Sequence, residues 1–450
     1  MFFLYNGYEE IIVDKYYIST YGCQMNIHES EKLAGMLVDL GYSEADSVEN
    51  ADVIVFNTCC IRENAEQKVF GNIGALKQLK RKNPDLIIAV CGCMTQQDGK
   101  AEFLRSKFPF ISIIFGTHNI AEFSEYVKRF KSRKKRVIEI PTADRYQGYN
   151  GPIYRTSGTN AWLNIIYGCN NFCSYCIVPY VRGREVSRPK EDILSDARRL
   201  VKEGYKEITL LGQNVNSYGN DLGLSYGFAE LLDEIAGIEG DFRIRFMTSH
   251  PKDLSERVID VVKKHDKICK SIHLPVQSGS TSVLKKMNRK YTREDYLCIV
   301  DKIRGKIPEC GITTDIMVGF PGETEQDFAD TMSLVEKVGF LSAFTFAYSP
   351  RNGTPAARAE QIPEDVKSNR LTRLIALQND VTAKLCAKYL GNTYAVLCED
   401  FNPKTGMYCG RTDDGKLVNF PLKSDRIGEF LKVKINGSKS SVLFGEVEEK

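Results

Sequence analysis

The stretch Gly168-Cys169-Asn170-Asn171-Phe172-Cys173-Ser174-Tyr175-Cys176 carries three thiols in a C-x3-C-x2-C spacing, directly after an apolar run at 161–166 that reads as a strand. Five more strand candidates follow, at 206–211, 242–247, 271–274, 313–318 and 342–347. Helical patterns lie between them, for example at 189–202, 254–264, 293–304 and 325–338. Six strand–helix units in succession predict a partial TIM-like (βα)6 barrel rather than an open sheet. Chemistry in such barrels sits at the C-terminal ends of the strands, which is where the three thiols fall.

Three thiols are a telling number. A cubane iron–sulfur cluster that only carries electrons takes four thiolates. Three leave one iron open, able to chelate the amino and carboxylate groups of S-adenosylmethionine (SAM). A structural zinc site would be closed by four ligands, and the next Cys or His after Cys176 is His250. Later strand ends offer SAM contacts beside Tyr175: Gln213 and Asn214 after the second strand, Gln277 and Ser278 after the fourth, and Asp315 on the fifth. Each stretch puts Gly, amide or hydroxyl groups where backbone can approach a nucleoside. Tight turns would account for the glycines equally well.

Upstream, strand candidates at 16–20, 53–56, 86–90 and 111–115 alternate with helical patterns at 27–40 and 63–79, which predicts a small parallel sheet. Leu33, Met36, Leu37 and Leu40 mark the buried face of the first helix, and Gly41 its end. Cys23, Cys59 and Cys93 each follow one of the first three strands. Loops at the carboxyl ends of neighbouring parallel strands converge, so these thiols suit a second cluster with an open iron. They suit structural cysteines too, and spacing leaves both readings open. Cys60 and Cys91 read as core or surface thiols. The basic run 128–136 and the Gly/Tyr/Ser/Thr-rich stretch 146–159 read together as a linker, the charges either solvated or facing RNA.

From about 391 the pattern becomes short β runs at 394–399, 407–410, 417–420, 430–435 and 442–447, punctuated by Asn-Pro, Asp-Gly and Asn-Gly. This predicts a small β-barrel. Domain limits are expected at 14–132, 155–385 and 388–450. The 450 residues are 42% hydrophobic and 26% charged, with a net charge of +3, so no global field pulls the chain toward nucleic acid. No stretch reaches the roughly 20 apolar residues of a membrane span, and no secretory pattern opens the chain. A cytoplasmic, reduced protein is expected, in which 14 cysteines include metal ligands rather than disulfides. Cys269, Cys298, Cys310, Cys386 and Cys398 read as small buried hydrophobes.

Along essentially its whole length the chain resembles the MiaB-type methylthiotransferases. The resemblance rests on Tyr21-Gly22-Cys23-Gln24-Met25-Asn26, Asn57-Thr58-Cys59 with Ile61-Arg62-Glu63-Asn64-Ala65-Glu66, Gly92-Cys93-Met94, the C-x3-C-x2-C loop, and Gly410-Arg411-Thr412 through Asn419-Phe420. It implies two 4Fe-4S clusters, an auxiliary one on Cys23, Cys59 and Cys93 and a SAM-binding one on Cys169, Cys173 and Cys176. It further implies a C-terminal OB-like TRAM barrel that binds RNA. The implied reaction uses two SAM per turnover. One methylates a cluster-borne sulfur, and the other yields a 5′-deoxyadenosyl radical that opens carbon 2 of N6-isopentenyladenosine at position 37, beside the anticodon of tRNA. The stretch 59–66 looks like this branch rather than sister branches acting on threonylcarbamoyladenosine or a ribosomal-protein aspartate. A non-catalytic iron–sulfur RNA-binding protein is the distant alternative. Arg182, Arg184, Arg188 and Arg411 would track phosphates of the anticodon stem-loop. A flavodoxin- or ferredoxin-like donor and cluster-assembly proteins are the expected partners of a monomer with no membrane association.

Overall fold

The computed structural model describes residues 13–60, 63–141, 148–149, 151–223 and 225–448. Ile61 and Arg62 of the quoted motif, Tyr146, Gln147 and Asn150 of the expected linker, and the first twelve residues lie outside that set. The chain forms two compact units. One ends at Thr156 and takes in Tyr180–Arg182; the other comprises Ser157–Pro179 and Gly183–Lys450.

The first unit is built on strands β1 (Lys15–Thr20), β2 (Ser43–Glu44), β3 (Val53–Thr58), β4 (Ile87–Gly92), β5 (Ile113–Phe115) and β6 (Val137–Glu139). They form one parallel sheet in the order β2-β1-β3-β4-β5-β6. Every residue of β3 and β4 is buried, as expected for strands covered on both faces. Helix α1 (Gln24–Asp39) packs Leu33, Met36 and Leu37 onto one face. It ends where Gly41 adopts φ +90°. There the Gly41 N–H reaches Val38 O and the Tyr42 N–H reaches Leu37 O, a Schellman stop. Helices α2 (Glu63–Lys82), α3 (Lys100–Lys107) and α4 (Phe123–Arg133) complete the layers.

The basic run is not a linker. Residues 128–133 finish α4, and Val137 starts β6, so the sheet runs past the boundary expected at 132. Phe123, Tyr126, Val127 and Phe130 face the core at helical spacing, and the basic residues fill the outer face. Most are occupied: Arg129 with Glu139, Lys131 with Asp14, Lys134 with Asp85, and Arg136 on Ile111 O. Only Phe130 of that stripe lies among the charges, so the run by itself showed no apolar period.

The second unit opens with strand β7 (Asn160–Asn164), the hairpin pair β8 (Ile166–Tyr167) and β9 (Val186–Ser187), and helix α5 (Val178–Arg182), whose last three residues belong to the first unit. Then come α6 (Lys190–Lys202), β10 (Glu207–Leu211), α7 (Phe228–Ala236), β11 (Arg243–Phe246), α8 (Glu256–Lys264), β12 (Ser271–His273), α9 (Thr281–Lys286), α10 (Arg293–Lys306), β13 (Gly311–Val318), α11 (Glu325–Val338), β14 (Ser342–Ala347) and α12 (Glu364–Ala387). Strands β7, β10 and β11 form one parallel ladder, and β12, β13 and β14 another. Bonds from Ile244 N–H to Lys267 O and from Cys269 N–H to Ile244 O join them into a six-stranded partial barrel.

Alternation sorts the barrel's side chains. Leu163, Ile208, Leu210, Ile244, Ile272, Ile312 and Ile316 pack outward under the helices. Thr209, Arg245, His273, Asp315 and Phe344 take the inward positions. A closed TIM barrel fills its interior with branched apolar layers; this lumen is polar and open. Phe344 is 61% exposed within it.

Strands β15 (Thr393–Asn402), β16 (Met407–Thr412), β17 (Leu417–Phe420), β18 (Phe430–Lys439) and β19 (Val442–Val447) close a five-stranded barrel around Val396, Val418, Phe420, Val433 and Leu443. Its 412–416 turn seals the N-terminal ends of the six-stranded barrel. Asp413 accepts from the Lys270 N–H at 2.9 Å, and a Cβ on Gly311 would lie 2.3 Å from Asp414 O. Arg243 and Arg245 both donate to Glu207, at 2.6 and 3.1 Å. Burial would raise the Glu207 carboxyl, but the two guanidinium groups overcome it and hold it at about 2. Cys269, Cys310, Cys386 and Cys398 are buried as expected, whereas Cys298 is exposed. Tyr296, Val300 and Ile303 take the inner face of α10, which turns position 298 outward. Among the described residues no helix is long and apolar enough to cross a membrane.

Candidate functional site: two loops of three thiols

Cys23, Cys59 and Cys93 follow β1, β3 and β4, three adjacent strands of one parallel sheet, so their loops share one edge. The loops are tied to each other. The Tyr21 N–H bonds Asn57 O at 2.8 Å, and the Cys93 N–H bonds Thr58 O at 2.9 Å. Asn57 Nδ2 reaches Asn26 O and Ser30 Oγ. Asn26 Nδ2 reaches Tyr21 O and Thr58 O. A Cβ on Gly22 would stand 2.7 Å from Cys59 Cβ, so only glycine lets these two loops meet. Cys91 lies one residue before the end of β4, in the core, and Cys60 is buried beside Cys93. Cys60 donates its S–H to Cys93. That bond, with Arg182 facing the sulfur, holds the Cys93 thiol below the ordinary range against the opposing effect of burial.

Arg182, expected at RNA phosphates, is instead 7% exposed and committed inside the first unit. Its guanidinium grips Glu29 at 2.6 and 3.2 Å and donates to Cys93 Sγ at 3.2 Å. Arg188 is also engaged, on Asn164 O and Asp196 at 2.8 Å each. Arg184 is exposed and stacks over Phe172 at 4.6 Å. Arg411 is half-exposed beside Glu399.

In the second unit, Cys169, Cys173 and Cys176 lie in the loop after β8. Gly168 makes the entry: its φ is +69°, and a Cβ there would lie 2.0 Å from Arg184 O. Phe172 at φ +46° turns the loop, and Asn288 Nδ2 fixes its carbonyl at 2.9 Å. Ser174 is bonded through N–H and Oγ to Met287 O and Lys286 O. Burial pushes the Cys169 thiol up to about 11 and the Cys176 thiol to about 12. Loading a metal here therefore releases protons. Arg289 reaches Cys173 Sγ at 3.4 Å, with its other donors on Tyr291 OH and Pro275 O. Its partners among the described residues include no carboxylate, so an anionic occupant is what would balance it. Among those residues no three Cys, His, Asp or Glu groups converge on a single ion's position. A cubane asks for something different, one thiolate for each of three irons.

Buried amides at the barrel mouth leave polar atoms unsatisfied: among the described residues, both side-chain atoms of Asn164 and Asn216, Asn214 Oδ1 and Gln277 Oε1 have no hydrogen-bond partner. These residues stand at the end of β7 and in the loops after β10 and β12. An unpaired buried amide costs about 1–3 kcal/mol, so the mouth is shaped for a polar ligand such as SAM. Gln277, at φ +68°, is held in a conformation that side chains rarely adopt. Of the expected SAM contacts, Asn214 and Gln277 belong to this set. Gln213 adjoins it, and Tyr175 packs edge-on against Phe320. Asp315 faces the lumen, 3.5 Å from His273 Nε2. Ser278 is fully buried, and its Oγ accepts from the Ser280 N–H and bonds Thr331, where it shapes a turn. Sequence reasoning missed Asn164, Asn216, Arg289 and Phe344. A carboxamide at the end of an apolar strand was the one available signal, at Asn164.

Residues 163–335 match the Radical SAM superfamily, 15–116 the Uncharacterized protein family UPF0004, and 387–447 the TRAM domain. The radical SAM methyltransferase TsrM from Kitasatospora setae shares the fold at TM-score 0.56 and 14% identity, over 76% of this chain and 75% of its own. The barrel and its three-thiol mouth thus define a radical SAM protein. Relatives named tRNA-2-methylthio-N(6)-dimethylallyladenosine synthase are 56% identical in Clostridium tetani, over 96% of both chains, and 50% identical in Acetivibrio thermocellus, over 96% of this chain and 90% of that one. The chain belongs to that family, the MiaB-type radical SAM methylthiotransferases.

Proposed function

We propose that this chain installs a methylthio group on carbon 2 of N6-isopentenyladenosine beside the anticodon of tRNA. The observation that carries the reading is the two sets of three thiols, one on the loops that end three adjacent parallel strands and one in the loop after β8, each one ligand short of a closed cluster. Cys169, Cys173 and Cys176 hold the SAM-binding 4Fe-4S cluster, and Cys23, Cys59 and Cys93 the auxiliary one. When bound, these groups and SAM supply the sulfur, the methyl group and the one-electron chemistry that an unactivated aromatic C–H bond requires.

The protein's own part is to bind and orient. Asn164 and Asn216 offer unpaired amides to SAM, and Asn214 and Gln277 their unpaired amide oxygens, with Gln213, Tyr175 and Asp315 beside them. Arg289 offsets the negative charge of the thiolates. Phe344 presents an open ring in the lumen on which a splayed-out purine stacks. Arg184 and Arg411 are placed to track phosphates. The protein acts in the cytoplasm as a monomer, reduced by a flavodoxin- or ferredoxin-like donor and loaded by cluster-assembly proteins. Mass spectrometry of tRNA nucleosides from a deletion strain tests the reading. Loss of 2-methylthio-isopentenyladenosine with accumulation of its unmodified precursor is expected. An intact mark, or loss from threonylcarbamoyladenosine instead, overturns it.

A further inference from the structure

All five N–H donors of Arg182 are used. Nε–H goes to Cys93 Sγ at 3.2 Å, Nη1 to Glu29 Oε1 at 2.6 Å and Met25 Sδ at 3.0 Å, and Nη2 to Asn26 Oδ1 at 2.9 Å and Glu29 Oε2 at 3.2 Å. Asn26 Oδ1 in turn receives Cys23 Sγ at 3.9 Å, so the network touches two of the three thiols. Thr117 Oγ1 anchors the backbone next to Arg182 through Val181 O at 2.7 Å. Arg182, Glu29 and Asn26 are all buried. A fold that needed only an ion pair could have left both charges at the surface, where pairing costs no desolvation. This pair is sunk beside sulfur, with one fork on the carboxylate and the Nε–H aimed at a thiol.

We propose that Arg182 and Glu29 form a charge-balanced clamp on the auxiliary cluster, Arg182 holding Cys93 in place and its N–H donation setting that cluster's reduction potential. The proposal rests on the reading that Cys23, Cys59 and Cys93 ligate a cluster. Hydrogen bonds to ligand sulfur and nearby net charge are the protein's main levers on such potentials. Arg182 is a positioning residue: it acts through Cys93.

The test uses full-length protein with Cys169→Ala, Cys173→Ala and Cys176→Ala, reconstituted anaerobically so that only the auxiliary cluster remains, and titrated under EPR. Removing Arg182 alone would strand a buried carboxylate, so the charge pair is altered in two other ways. Glu29→Gln leaves the cation unbalanced and shifts the potential upward. Glu29→Gln with Arg182→Met removes both charges and the donor, and shifts it downward. Each shift is expected to reach tenfold in the reduction equilibrium, about 59 mV for one electron. Arg182→Lys, which keeps the charge but loses the fork, retains iron yet falls between the wild-type chain and the double variant. A structural role alone would lower iron content without opposite shifts. Folded variants that keep iron at an unchanged potential overturn the proposal. No cluster in the starting variant overturns both it and the reading beneath it.

Discussion

The two three-thiol loops solve one problem with different electrostatics. Both follow the ends of strands, both enter through a glycine that no larger residue could replace, and both place a buried arginine on one sulfur. In the first unit that arginine is matched by Glu29. In the second, Arg289 has no carboxylate among its described partners, and partnerless amides stand in the neighbouring strand-end loops. The first loop set is complete in itself apart from a cluster. The second is complete only when a charged, polar ligand joins it. A site that holds one group permanently can balance its charges within the protein; a site that takes a fresh ligand each turnover must leave them open.

The sharpest break in that comparison comes from the thiols. Cys169→Ala, Cys173→Ala or Cys176→Ala abolishes both 5′-deoxyadenosine formation and methylthiolation. Cys23→Ala, Cys59→Ala or Cys93→Ala abolishes methylthiolation while SAM cleavage persists, as product chromatography will read. Arg289→Gln is next: iron at the barrel site falls severalfold, with the first site's iron unchanged.

Asn164→Leu separates ligand binding from folding. The fold gains about 1–2 kcal/mol because an unpaired buried amide is gone. SAM affinity falls about tenfold for the loss of one hydrogen-bonding group, measured by thermal melting and equilibrium dialysis. Phe344→Ala raises KM for tRNA with kcat less affected, by the roughly 1–3 kcal/mol of one base–aromatic stack.

The smallest effect is on pH. His250 is buried near Arg289 and Lys252, and burial first, then those charges, lower it from 6.5 to about 2. Its folded value lies below its unfolded one, so the unfolded chain binds the extra proton. Stability is therefore full above pH 6.5 and falls below it, by about 1.4 kcal/mol per pH unit at most. His250→Asn should flatten the melting temperature between pH 6.5 and 4.5.

Much of this was legible along the chain. The strand at 342–347 and the helix at 325–338 were placed to the residue, because each carries its own period and its own caps. The C-x3-C-x2-C set stood out by spacing, since its thiols are neighbours in sequence as well as in space, whereas Cys23, Cys59 and Cys93 lie on three separate loops and spacing left them open between cluster ligands and structural thiols. The residues read less well share a different cause. Ser278 and Arg182 were judged by residue type on a loop, and type says nothing of what a side chain meets. The 128–136 run was judged by charge, apart from the apolar stripe that Phe123, Tyr126 and Val127 begin before it.

The sequence by itself determined the strand–helix succession of the six-stranded barrel and the count of three thiols in the 169–176 loop, because period and spacing are local properties. Tertiary structure alone decided how each set of thiols is charged. Arg182 and Glu29 are separated by 153 positions, and a buried ion pair exists only where folding removes water from both partners at once.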